Sequence, residues 1–555
     1  MATKHEAGDR ITPIPGVRLS YDEPVLSKNA PFKFEEQTNY VPVKIIITIF
    51  IACSTVDLLA LMDQTTLASS LNIISRELNA SGDRGWIAGG YFITSTAFQL
   101  LYGRLSDIWS RKTILISGLV IFFIGSLASS LAQNAIQLII FRALTGIGGG
   151  GLVTVAQMIL SDIVPLRERG KYQGILGSVV ALSNGIGPVI GGALASRSEN
   201  SWRWIFRLNL PLAILTLLST IYLMPLKRVE GDWKLKLKSI DFCGIALALA
   251  GTAVVMLGLT WAGGQYSWDS VQVVSSLVFG FAISCSFILW QWRGTNVPLI
   301  PLHIFKSRIV VGACITMFVN GWNFIVQIYY IPTFYQLVYG YSAVKAGSML
   351  LAITLTQTLF STLSGLAVHW LGRYRESIIV GWMAWAVGLG LLSTLGEKSS
   401  LPKMIWYMVL TGFGCGQTLQ PSLIAIQAGV DRADMAVVTS FRNFIRNLGG
   451  CLGLAVSGTI INNFFRSLME PFNLENEDIL KIMNDPEKFI SELAPDSGDE
   501  VRRASILAYQ QAFRVIFLVG AALAVVAVFV ALVLMPQIDL AREDDDKLRE
   551  EAKHG

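Results

Sequence analysis

The chain has 555 residues, a hydrophobic fraction of 52%, a charged fraction of 15% and a mean hydropathy of +0.53. A soluble globular chain carries roughly 25% charge, so this composition excludes a multidomain soluble protein and points to lipid as the solvent. The net charge of +5 is small for the length and sits in short basic clusters between apolar runs, with no stretch suited to nucleic acid.

Residues 1–43 are polar and proline-bearing and are expected to form a disordered cytoplasmic tail; the first apolar run then serves as an uncleaved signal-anchor. Apolar runs of spanning length follow at 45–71, 86–105, 113–132, 135–160, 171–195 and 204–224, then at 240–262 and 270–291. The rest lie at 308–333, 345–370, 376–396, 402–428, 437–463 and 511–535. A span needs about 20 apolar residues, so the chain holds about 14. The spacing predicts an all-α polytopic membrane protein: a first six-helix bundle over 44–225, two inserted helices within 226–307, and a second bundle over 308–536. A long acidic loop, 464–510, is expected to face outward with an amphipathic helix near Ile479–Leu493, and a charged tail closes the chain at 537–555. Lys and Arg concentrate in the loops after even-numbered spans (Arg104, Arg111, Lys112; Arg167, Arg169, Lys171; Lys227, Arg228; Arg373, Arg375), which predicts both termini to be cytoplasmic. The one glycosylation sequon found, Asn79-Ala80-Ser81, falls in the first outward loop.

The six cysteines lie in apolar segments without close pairing, so neither a disulfide framework nor a zinc site is expected. His303 and His369 have no ligand partner in the pattern and are read as structural. No cofactor, metal or Walker A loop is predicted. An integral membrane enzyme is disfavoured, because four histidines, two of them in the tails, leave little for a catalytic cluster. Gly146-Ile147-Gly148-Gly149-Gly150-Gly151 fits GxGxxG, but it lies inside a span with no strand before it, so it is read as helix contact rather than a nucleotide loop.

Charges inside apolar runs mark the candidate site, because an intramembrane charge normally faces a cavity or a partner. Asp57 and Asp63 lie in span 1, six residues apart and therefore on different helix faces, and Arg142 lies in span 4. A structural tether is the competing role for Arg142. Between spans 2 and 3, Gly103 permits close helix approach, and Asp107 is expected to pair with nearby cations and to cap the next helix, with Arg111 and Lys112 in the same conformational segment. Gly187, Pro188 and Gly191 form a hinge or tight interface in span 5. In span 9, Asn320, Asn323 and Gln327 share one face. They are candidates for a substrate cavity together with Gln417, Gln420 and Arg446, with interhelical hydrogen bonds as the alternative. Arg442 is expected to snorkel to the cytoplasmic surface.

Several of these segments resemble the major facilitator superfamily. Gly103-Arg104-Leu105-Ser106-Asp107 through Arg111-Lys112 is similar to its cytoplasmic loop signature, with Ser110 where the family usually has Gly. Arg142 through Gly148 resembles its arginine motif, and Gly185 through Gly192 its antiporter motif. Leu61-Met62-Asp63-Gln64-Thr65-Thr66 resembles the first-helix motif of the fourteen-span drug:proton antiporter branch, with Asn72 in place of a proline. Trp202 through Pro211 resembles that branch's start of span 6. The likeness covers roughly residues 44 to 535 and is densest in the first half. It implies a monomeric carrier of fungal type in which two six-helix halves rock about a midplane site, with small-molecule substrate, protons and the bilayer as its partners. Asp63, Arg142 and Asp57 would couple protons to the export of toxins, drugs or secondary metabolites across the plasma membrane. A vacuolar basic amino acid or siderophore carrier and a non-transporting sensor are the other readings.

Overall fold

The computed structural model describes residues 43–78, 84–195, 197–198, 200–224, 240–262, 266–295, 298–469 and 495–540. The N-terminal tail before Val43, the sequon at Asn79, the amphipathic segment Ile479–Leu493 and the chain from 541 onward lie outside them.

The apolar runs become helices because a backbone in lipid must satisfy its own hydrogen bonds. The first group is α1 (Val43–Glu77), α2 (Arg84–Ile108), α3 (Arg111–Leu131), α4 (Ala135–Ile163), α5 (Leu166–Ala195) and α6 (Arg203–Leu223). Next come α7 (Phe242–Trp261) and α8 (Val271–Leu289). The second group is α9 (Arg308–Tyr339), α10 in two segments (Ala343–Met349 and Leu351–Leu371), α11 (Arg375–Leu392), α12 (Leu401–Ala428), α13 (Met435–Met469) and α14 (Pro495–Leu534). Local signals place several ends. Ser110, Asn134, Asp241 and Ser270 cap α3, α4, α7 and α8 through side-chain oxygens, and Gly340 and Gly372, at φ +63° and +67°, stop α9 and α10.

Twelve of these helices are long and apolar enough to cross a membrane by composition alone. The other two, α2 and α12, carry buried polar residues: Ser95, Thr96 and Gln99 in one, Thr411, Thr418, Gln420 and Gln427 in the other. Their neighbours are mostly protein rather than lipid, so their side chains need not be apolar. That makes fourteen membrane-length helices among the described residues.

Packing divides them. α1 packs on α5 and α6, α2 on α4, and α3 on α4 and α6; α9 packs on α13 and α14, α12 on α10 and α11, and α11 on α14. The groups meet where α5 lies along α10 and α2 along α13. The inserted α7 and α8 pair with each other, and α7 leans on α2 and α13. Large exposed side chains such as Ile136, Ile140, Phe281 and Val533 face outward from the bundle, as lipid contact requires. The segment expected as a loop over 464–510 is helical at both ends, because α13 runs on to Met469 and α14 starts at Pro495. Phe465 and Tyr509 are buried there with ring centroids 5.5 Å apart, and this packing extends both helices past the apolar stretch.

Candidate functional site

Three helices of the first group bring Asp63, Arg142 and Asn209 together. Arg142 Nη1 donates to both carboxylate oxygens of Asp63, at 3.0 and 2.8 Å, and Asn209 Nδ2 donates to Oδ1 at 2.7 Å. The two charged side chains are 1% and 0% exposed. The guanidinium also lies 4.6 Å from the ring centre of Tyr91 and 5.7 Å from that of Phe206, and Gln64 Nε2 donates to the Tyr91 hydroxyl. Burying such a pair is unfavourable unless both charges are well bonded, and removing one partner strands the other. Asp63 and Arg142 thus form one unit that responds to any change in the carboxylate. Asp57 is equally buried but separate: its Oδ1 has no hydrogen-bond partner among the described residues.

The turn between α2 and α3 is a charge cluster. Arg111 Nη1 donates to Asp107 Oδ1 and Ser106 Oγ, both at 2.6 Å, and its Nε to Asp162 Oδ2 at 2.8 Å. Lys112 Nζ donates to the carbonyls of Ile221 and Met224, holding the end of α6. The expected capping by Asp107 is corrected: Ser110 caps α3, accepting from the Thr113 amide, while Asp107 is engaged by Arg111. Ser110 is extended at φ 165°, a conformation any residue adopts, so the position does not require the family's glycine.

Bonds between the two helix groups cluster at this same end. A Cβ on Gly103 would lie 2.7 Å from Ser440 Cβ of α13. Arg169 Nη1 donates to Gln427 Oε1 at 3.0 Å, and Gln427 Nε2 donates to Ser161 and Thr439. Asn443 Nδ2 donates to Thr154 and Gln157, and Ser178 pairs with Thr362. This end of the bundle is closed.

In α5, a Cβ on Gly187 would come 2.8 Å from Thr65 Cβ of α1, close beside Asp63, and Pro188 lies within a helix that runs unbroken to Ala195. Gly191 is buried in the next turn. The glycine run of α4 is packing surface. Gly146, Gly149 and Gly150 face Tyr91, Thr94 and Ser95 of α2, and Gly148 faces Phe122 of α3. The nucleotide-like pattern is therefore helix contact, on a helix with no strand before it.

The second group holds the other predicted residues. Asn320 Oδ1 accepts from Arg446 Nε at 2.8 Å, and Asn320 Nδ2 donates to Thr418. Asn323 donates to the Gly520 carbonyl and Gln327 to the Asn323 carbonyl; both are buried and bonded within the protein. Gln417 bonds Ser377, and Gln420 is buried near Gly177 of α5. Arg442 does not snorkel. It is 2% exposed, with Nη2 donating to the Leu419 carbonyl at 2.7 Å and Nη1 to Asn443 Oδ1 at 2.9 Å. Helix α13 packs along α2 and α12 here, so the path to the surface is filled with protein. His303 Nε2 lies 2.7 Å from Asp434 Oδ2, a partner across 131 positions that local pattern could not reveal.

Sequence reasoning passed over Asn209, Tyr91, Asp162, Arg169 and Gln427. Asn209 carried a signal, a lone amide inside an apolar run. Arg169 read as one more basic loop residue.

The Major Facilitator Superfamily family model matches residues 54–454. The chain is 34% identical to "Citrate exporter 1" of Yarrowia lipolytica, over 81% of this chain and 67% of that protein. It is 32% identical to "MFS-type efflux pump MFS1" of Arthroderma benhamiae, over 78% and 82%. Among solved structures, the proton:xylose symporter XylE aligns with a TM-score of 0.59 at 14% identity, covering 92% of this chain and 99% of that one. The human organic anion transporter MFSD10 aligns at 0.56 with 15% identity, covering 88% and 99%. Those structures share the fold, and the closer relatives share the sequence. With its fourteen-helix bundle and paired Asp63 and Arg142, this chain belongs to the Major Facilitator Superfamily, in the company of fungal efflux-type transporters.

Proposed function

We propose that the chain is a proton-coupled secondary active transporter that exports small organic molecules, amphipathic toxins, drugs or secondary metabolites foremost, across the plasma membrane. The observation that carries this reading is the fully buried Asp63–Arg142 pair with Asn209 beside it. Protonating Asp63 cancels its charge and leaves Arg142 with only neutral partners. The relative energy of the two alternating states then depends on the proton, which is the coupling a gradient-driven carrier needs. With both termini cytoplasmic, the closed end is the cytoplasmic one. Asp107 and Arg111 then belong to the cytoplasmic gate.

Relatives named as a citrate exporter and as an efflux pump support export as the direction and make citrate one candidate solute. A basic amino acid fits less well, because α9–α13 hold two arginines and no acidic residue within the bundle. The test uses liposomes holding the full chain, with an imposed pH gradient, entrapped pyranine to report protons, and citrate or rhodamine 6G as solute. Gradient-driven flux of either solute is expected, and Asp63→Asn at matched protein level should uncouple it from proton movement. If Asp63→Asn moves protons with solute at the wild-type ratio, coupling belongs elsewhere, and Asp57 is the next candidate. A sensor would show no flux at all. Fluorescent tagging at native expression separates the plasma membrane from the vacuole.

A further inference from the structure

Arg446 is a cation with no counter-charge paired to it among the described residues. Between Ile309 and Met469 the acidic residues are Glu376, Glu397, Asp431 and Asp434, all at helix ends or in loops. None of them pairs with Arg442 or Arg446 among the described residues. The groups facing Arg446 are Asn320 and Phe324 of α9, Cys415 of α12, and Arg442 one turn away on its own helix. Arg442 holds Asn443 and the Leu419 carbonyl with its two terminal nitrogens, and its remaining nitrogen, Nε, is fully buried and out of reach of a solute. Arg446 is different. Only its Nε has a recorded bond, to Asn320, and its guanidinium carbon lies 5.0 Å from the Phe324 ring centre.

That geometry fixes the guanidinium in one plane and leaves its Nη1–Nη2 edge without a recorded partner among the described residues. Arg446 is half-buried, and its terminal nitrogens are not among the fully buried unpartnered atoms, so this edge is not sealed inside the protein. Nearby, Asn447 Nδ2 bonds Gln99 of α2, so the position lies where the groups meet. The two-nitrogen edge matches a carboxylate, whose two oxygens accept two parallel N–H bonds. Two like charges one turn apart also repel, and an anion beside them removes that repulsion.

We propose that Arg446, oriented by Asn320, is the recognition point for a carboxylate group on the exported solute, so that the substrate class is organic anions. The proposal rests on the exporter reading and names what that exporter carries.

The test is equilibrium binding to the full chain in lipid nanodiscs, with citrate, succinate and benzoate as probes and trimethyl citrate as the uncharged control. At least one of the three anions should bind the wild type, and trimethyl citrate should bind at least tenfold more weakly than citrate or not at all. Arg446→Gln should weaken anion binding at least tenfold, Arg446→Lys less, and Asn320→Ala about threefold through lost orientation. Melting temperatures of the unliganded variants control for folding. The proposal is overturned if none of the three anions binds the wild type, if trimethyl citrate binds as tightly as citrate, or if Arg446→Gln stays within threefold of wild type. Equal loss of binding and melting temperature in the Lys and Gln variants also overturns it, because that is the pattern of a packing residue. Intact anion binding with no gradient-driven flux would instead sink the exporter reading and leave this site standing.

Discussion

Arg142 meets Asp63 through one nitrogen, Nη1, while its ring contacts with Tyr91 and Phe206 engage the flat face of the guanidinium. A lysine keeps the charge and loses the planar surface. Arg142→Lys should therefore reach the membrane and lose tenfold or more in gradient-driven flux; a merely structural tether predicts instead loss of folded protein, read by size-exclusion of the detergent-extracted chain. Asp57 sits on the same helix without a bonded Oδ1. Its ionised form has no ion-pair partner among the described residues, so Asp57→Asn should leave the melting temperature equal or slightly raised, and proton coupling should persist if Asp63 is the centre. The two aspartates look alike in the sequence. Six residues of spacing separate their faces, and only the packed neighbours tell which face meets Arg142.

At the level of elements, α4 is defined by what it lacks. Gly148, Gly149 and Gly150 let α2 and α3 come within backbone contact, and a Cβ on Gly148 would lie 2.5 Å from the Phe122 nitrogen. Overpacking in a dense interior costs about 1–3 kcal/mol, and more where the obstacle is backbone. Gly148→Val should lower the melting temperature measurably and cut the yield of folded protein, while Gly192→Ala, with nothing within 4 Å, should do neither. The run was legible as helix contact because it interrupts a span. Which glycine serves which neighbour was not, since a 3.6-residue period assigns faces and leaves their partners open.

Over the whole molecule, the closed end depends on contacts between residues far apart in sequence, such as Arg169 with Gln427 and Gly103 with Ser440. Gln427 bonds three side chains from three helices, so Gln427→Leu strips the junction of its buried hydrogen bonds. The expected outcome is a population shift toward the state open at this end. The reporter is a cysteine placed at Ser440, buried against Gly103, which should react several-fold faster with a water-soluble maleimide in the Gln427→Leu background. Equal reaction rates would mean that the gate is held elsewhere. Gly103→Val should act in the same direction through steric clash. Topology has its own test: tags at both ends should be protected from outside reagents, and an exposed C-terminus would contradict the orientation drawn from Lys and Arg.

By itself the sequence determined that the chain lives in lipid, how many helices it forms and which charges lie among apolar neighbours. Lipid offers the backbone no hydrogen bonds, so helices are forced, and an embedded Asp63 or Arg142 stands out against 20 apolar residues or so. What each polar group does was decided only by tertiary structure. Arg442 and Arg446 share one helix face and one residue type, yet the first is buried with its terminal nitrogens on Leu419 and Asn443 while the second is half-buried and bonded through Nε to Asn320. Asn323 and Gln327 turn to carbonyls, and Arg169 reaches an amide 258 positions away. Hydrogen bonds are satisfied by whatever lies within about 3 Å, and in a bundle of fourteen helices that neighbour is set by which helices pack together.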